Sequence, residues 1–122
     1  MIEVDIGDTI RLDCLFHYKG PQYSFAKFVY AIGLKPLNVF IAEISQEAGI
    51  SVPASAGEDF SQRLLLPITD KAERGRTYHL QVKLETNFAG DDLWWEEDNA
   101  IYIKEGVGEG EFSNLDVKYS KG

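Results

Sequence analysis

From Tyr78 to Glu85 the chain alternates strictly, with Tyr78, Leu80, Val82 and Leu84 on one side and His79, Gln81, Lys83 and Glu85 on the other. A side-chain period of two is what an antiparallel strand with one buried face requires, whereas a helix would spread these apolar residues around its circumference. The same pattern recurs at Thr9–Lys19. There Ile10, Leu12, Cys14, Phe16 and Tyr18 share one face, Thr9, Arg11, Asp13 and His17 take the other, and Leu15 is the exception. Phe60–Ile68 repeats it with Leu64, Leu66 and Ile68 aligned and Gln62 as a partial mismatch. Three separated segments of this kind commit the chain to β-structure.

The remaining segments fit between them. Phe25–Leu34, apolar on both faces, is expected to be a central strand, and Gly20–Pro21 begins the turn before it. Leu37–Ile44 is strongly β-prone through Val39, Phe40 and Ile41. Ser45–Gly49 is expected to be a connection, Ile50–Pro53 a short edge strand ended by proline, and Ala54–Asp59 a loop. Thr69–Gly75 reads as a tight bend or a short helical turn, with Gly75 supplying backbone freedom. Ala100–Glu105 is a further strand. Gly106–Glu111 is expected to be a flexible connection to a last strand at Asn114–Ser120, where Leu115, Val117 and Tyr119 alternate with polar residues. Phe112 joins that set through a bulge or turn at Ser113–Asn114.

About eight strands and no amphipathic helical run give an all-β fold. The expectation is a single antiparallel Greek-key β-sandwich over residues 1–122, with a closed barrel as the structural alternative. Parallel α/β architecture would need helices between the strands. A chain of 122 residues can bury one core unaided.

Charge narrows the function classes. The formal net charge is −8, from 20 acidic and 12 basic residues. Such a surface repels phosphate backbones, so nucleic acid is not an expected partner. No apolar stretch approaches the roughly 20 residues that span a bilayer as a helix, so membrane insertion is not expected either. Cys14 is the single cysteine, which excludes an internal disulfide and a thiolate metal cluster. On the apolar side of its strand it reads as a small buried hydrophobe.

Gly75-Arg-Thr-Tyr78-His-Leu-Gln-Val-Lys-Leu84 resembles the penultimate strand of immunoglobulin-like and fibronectin-type sandwiches, in which a tyrosine near the strand start forms a corner that caps the core. Thr9–Phe16 would then be the second strand and Leu64–Ile68 the one before the corner. The resemblance is to the broad class of prokaryotic or viral accessory domains of this type and covers Thr9–Ile103. It implies structural roles for Tyr78 and Gly75, and a place in an extracellular, surface or virion-associated assembly. The immunoglobulin Cys…Trp…Cys pattern is absent, because Cys14 has no mate and both tryptophans lie beyond the Tyr78 strand.

The segment Asn87–Asn99, NFAGDDLWWEEDN, holds the only tryptophans, Trp94 and Trp95. It reads as a long loop. On a strand, adjacent residues point to opposite faces, so one indole would enter the core and one would face water. In a loop both would present rigid apolar area for a protein partner or a sugar ring. An immunoglobulin-like strand order would bring Tyr23 to the same rim as Trp94 and Trp95.

The acidic residues Asp91, Asp92, Glu96, Glu97 and Asp98 are the densest such patch and offer hard oxygen ligands for calcium, without the spacing of an EF-hand. They are equally readable as a solvated acidic loop. Glycosidase chemistry would need two carboxyl groups held across a cleft, which nothing in the sequence constrains. His17 and His79 occupy outward positions and lack a third zinc ligand. No Ser-His-Asp grouping is present, and the Gly106–Gly110 run lacks the lysine of a phosphate loop.

The expected function is therefore non-catalytic: a structural or adhesive module that binds a protein partner or associates with itself, using Tyr23, Trp94 and Trp95. A carbohydrate-binding module is the alternative, with a tryptophan stacked on a glycan and a carboxylate on its hydroxyls. A third route is strand addition along an open sheet edge, through Ile50–Pro53 or the segment after Asn114.

Overall fold

The alternating segments pair as seven strands among the residues that the computed structural model describes, which are 1–35, 39–87, 89–106 and 112–121. In chain order they are β1 (Ile2–Val4), β2 (Thr9–Gly20), β3 (Tyr23–Leu34), β4 (Ile41–Val52), β5 (Ser55–Pro67), β6 (Thr77–Glu85) and β7 (Leu93–Ile103). No helix occurs among the described residues. The strands form a five-stranded sheet in the order β1-β7-β6-β3-β4 and a two-stranded sheet of β2 and β5.

Both sheets send their apolar rows into one cluster. Phe28, Tyr30 and Ile32 of β3 and Tyr78, Leu80, Val82 and Leu84 of β6 come from the larger sheet. Ile10 of β2 and Leu64 and Leu66 of β5 come from the smaller one. Two contacts tie the sheets directly: the Tyr30 hydroxyl donates to the Leu65 carbonyl at 3.1 Å, and the Phe16 and Phe28 rings meet edge to face with centroids 5.8 Å apart. β3, apolar on both faces in sequence, is central, lying between β6 and β4.

Tyr78 caps the lower end of this core. Its side chain is buried, and its hydroxyl accepts the Glu73 N–H at 2.8 Å, closing the bend after β5. Gly75 adopts φ 75° in that bend, a left-handed conformation that disfavours a side chain. The bend is sealed by the Gly75 N–H, which donates to the Ile103 carbonyl at 2.7 Å.

Several expectations are corrected. β4 is one strand of 12 residues that runs through Ser45–Gly49. The inward row Ile44, Ala48, Ile50 and Val52 is interrupted in sequence by Gln46, opposite Tyr30, and that interruption hides the continuity. The expected loop Ala54–Asp59 is largely strand. Gly57, at φ 123°, is the extra residue of a bulge opposite Tyr18 and Lys19, and the Ser55 hydroxyl satisfies the N–H groups of Gly57 and Glu58.

The expected loop Asn87–Asn99 is cut short by β7, which contains both tryptophans; the ladder with β6 overrides the acidic composition. β1 was not anticipated, and it pairs in parallel with Ile101–Ile103 of β7, so the larger sheet is mixed rather than antiparallel. The expected strand at Asn114–Ser120 does not pair with anything described, and Leu115, Val117 and Tyr119 are 92%, 70% and 96% exposed. Alternation sets which side chains share a face, but a strand forms only where the backbone pairs with a neighbouring edge, and this segment pairs with none among the described residues of the single chain. The expected connection falls, at 107–111, outside the described residues, as do Leu37 and Asn38 of the expected strand Leu37–Ile44.

Candidate functional site

The two-stranded sheet is too narrow to cover the five-stranded one. β2 hydrogen-bonds to β5 along one edge only, and its other edge has no ladder partner among the described residues. The corresponding border of the larger sheet is also open. β1 covers β7 only at Ile101–Ile103, which leaves the outer edge of Leu93–Ala100 unpaired among the described residues.

Between these borders lies a cleft of about 490 Å³. Arg11 through Phe16 of β2 line one side consecutively, and Leu93, Trp94 and Trp95 line the other. Consecutive residues of a strand point alternately up and down, so a wall containing all of them is a strand edge. Phe28, Val82 and Leu84 form the apolar floor.

Cross-strand register fixes the two indoles. Trp95 stands opposite Val82 and Leu93 opposite Leu84, so both lie on the core side of the sheet. They are nonetheless 50% and 54% exposed, because nothing from the smaller sheet reaches over them. Trp94 stands opposite Lys83 on the outer face, with the ammonium 4.9 Å from its ring centroid, and is 60% exposed. Such a cation–π contact leaves the far side of the indole available. The pair is divided between two faces, with neither indole enclosed.

Tyr23 does not line this cleft. It belongs to a neighbouring recess of about 170 Å³ with Tyr18, Ile50, Val52 and Asp91, and its hydroxyl donates to the Thr86 carbonyl at 2.6 Å. Leu93, Phe16 and Leu84 are common to both hollows. Leu15, 74% exposed, is a cleft residue that pattern reading identifies only as an apolar exception on the polar row of β2.

The acidic residues are engaged separately. Glu96 accepts from Lys35 at 2.7 Å and from the Gln81 amide at 2.6 Å, which holds its carboxyl below the usual range. That bond to Glu96 in turn raises the Lys35 ammonium. Asp98 lies 3.4 Å from Lys35 and 3.3 Å from His79 Nδ1. Asp92 accepts the Thr86 N–H at 3.0 Å, a turn-forming role. Glu97 and Asp91 are exposed. Among the described residues no group of three or more His, Cys, Asp or Glu side chains converges as a metal site.

The histidines also lie apart. His17 is on β2, 3.0 Å from Asp59 across the ladder, while His79 is on β6, where Nδ1 accepts the Asn99 N–H at 3.1 Å. That bond supports a bulge at Asn99, whose φ is 52°, where the β6–β7 register shifts. Cys14 lines the cleft half-buried. Burial, and then the neighbouring Asp13 charge, push its thiol up.

No protein-family model, curated protein or solved structure matches this chain.

Proposed function

We propose that this chain is a non-catalytic β-sandwich module that binds protein by accepting a strand in the cleft between β2 and β7. The observation that supports this is the pairing of two open strand edges with an apolar floor. An open edge offers unpaired N–H and C=O groups to an incoming backbone, and the hollow beside it takes alternate side chains. Leu93 and Trp95 supply exposed apolar area on the core side of a strand, where burial by a partner recovers what the narrow second sheet leaves uncovered. Arg11 and Asp13 on the rim of β2 set charge complementarity and register.

A displayed library of extended peptides, selected on the wild-type chain and re-measured on Trp95→Ala, tests this reading. Selected peptides should alternate apolar and polar residues and lose at least tenfold in affinity on the variant. Peptides indifferent to Trp95, or of no alternating pattern, would defeat it.

Carbohydrate binding is the second reading, and Trp94 carries it. Its exposed outer-face indole adjoins Lys83 on a face that also holds the Gln81–Glu96 pair, a platform of the type that stacks on a sugar ring and hydrogen-bonds its hydroxyls. A glycan array probed with wild type and Trp94→Ala separates the two: glycan binding lost with Trp94 but kept with Trp95→Ala favours the sugar module.

A further inference from the structure

The chain carries a segment with the pattern such a cleft selects. Leu115, Val117 and Tyr119 alternate with Asp116, Lys118 and Ser120, and the three apolar side chains stand 70–96% exposed. None of the backbone of 112–121 is hydrogen-bonded to the described residues. Asn114, at φ 59°, turns the chain immediately before Leu115, so the alternating run has a defined start.

Resting on the strand-accepting reading above, we propose that Leu115–Ser120 of one copy adds as a strand to the open edge of β2 in a second copy, making an exchanged dimer. Geometry and charge both favour this occupant. Three side chains at alternate positions span about 13 Å at a strand's rise of roughly 3.3 Å per residue, which matches the stretch of β2 from Ile10 to Cys14.

Charge selects the direction. With Val117 opposite Leu12, a parallel strand places Leu115 opposite Ile10 and Tyr119 opposite Cys14, so all three enter the apolar side. The same register sets Asp116 against Arg11 and Lys118 against Asp13. Reversing the strand about the same centre sets Lys118 against Arg11 and Asp116 against Asp13, two like-charge pairs.

A second copy is the occupant because each molecule presents both unfilled halves at once. In this structure the segment stands clear of its own cleft, and reciprocal exchange closes both clefts with one two-fold contact. Burying Leu115, Val117 and Tyr119 against Ile10, Leu12 and Cys14 would supply apolar contact to three exposed side chains and complete the cover of Leu12 and Cys14, which are half-buried in the single chain.

Light scattering after size exclusion should show a mass rising with concentration from 13.7 kDa toward twice that value. Val117→Asp should remain at the lower mass throughout; Val117 is 70% exposed in the single chain, so this variant keeps the fold. The register has its own test, because Cys14 is the only native thiol. Directly opposed strand positions fall within disulfide range, so Tyr119→Cys should oxidise to a linked dimer, at least tenfold more than Ser120→Cys, whose side chain faces away.

A wild-type chain that stays monomeric at all concentrations would overturn the exchange. So would a Tyr119→Cys disulfide that forms at monomer mass and is insensitive to dilution, which places the segment in its own cleft. A dimer undiminished by Val117→Asp would show that another surface associates. If any of these occurs while selected peptides still depend on Trp95, the exchange fails and the strand-accepting cleft stands. Loss of both results removes the cleft itself.

Discussion

Replacing Gly33 by alanine should destabilise the fold, while the same change at Gly49 in the adjacent strand should not. A Cβ added at Gly33 would lie 2.1 Å from the Ile41 carbonyl oxygen and 2.9 Å from the Phe40 ring. The ring can rotate, but the carbonyl belongs to backbone that is paired with β3 at the irregularity between Ile32 and Gly33. β3 cannot retreat from it either, because Gly33 is also paired with His79 of β6. More than 1 Å of separation must be gained against ladders on both sides, an overpacking cost of about 1–3 kcal/mol. With an unfolding entropy of roughly 2.1 cal/mol/K per residue, 1 kcal/mol corresponds to about 4 °C for 122 residues. Gly33→Ala should therefore lower Tm by about 4–12 °C. Gly49, opposite Lys27, has nothing within 4 Å of the added atom. Its replacement restricts the unfolded chain and should raise stability by about 0.4–1 kcal/mol, or roughly 2–4 °C. Thermal melts followed by circular dichroism compare the two directly. Equal shifts in the same direction, or a Gly33→Ala melt unchanged from wild type, would refute the close approach of β3 and β4.

Three further outcomes are expected. Tyr78→Phe removes the acceptor for the Glu73 N–H and should cost about 1 kcal/mol in urea unfolding; no change would mean that water replaces the bond at the bend. The Lys35–Glu96 contact should be intact between the ordinary values of its partners. Glu96 is lowered from 4.5 by the bonds from Lys35 and Gln81, so its contribution is present above 4.5 and lost as pH falls through the lower folded value. Lys35 is raised from 10.5, so its contribution is present below 10.5 and lost as pH climbs past the higher folded value. Urea midpoints of Glu96→Gln should show a shallower acid decline than wild type, and parallel acid limbs would contradict the assignment. The Cys14 thiol, raised from 9.0 by burial and by Asp13, should alkylate several-fold more slowly at neutral pH than a cysteine in an unstructured peptide and recover at alkaline pH; matched rates would show an open thiol.

The all-β class was legible because the rows Ile10–Leu12–Cys14–Phe16 and Tyr78–Leu80–Val82–Leu84 leave one face apolar, and such a pattern suits no other secondary structure. The two apolar faces of Phe25–Leu34 likewise announced a central strand. Trp94 and Trp95 were conspicuous for their size, and a strand assignment would have divided them between two faces. Local pattern determines side-chain direction, since successive residues of any strand must alternate.

What the tertiary structure alone decided was coverage. Whether Trp95 is enclosed depends on how far the sheet opposite extends, and the sheet opposite has only two strands. Whether Asn87–Asn99 is loop or strand depended on the ladder offered by β6, the strand just before it, and composition does not record that pairing. The acidic run was separated by Lys35, which follows β3, and by Gln81 and Thr86, which lie in β6 and just after it. Leu115, Val117 and Tyr119 show the same division in reverse: their alternation specifies which face a strand would bury, but a strand exists only when an edge with free N–H and C=O groups lies beside it.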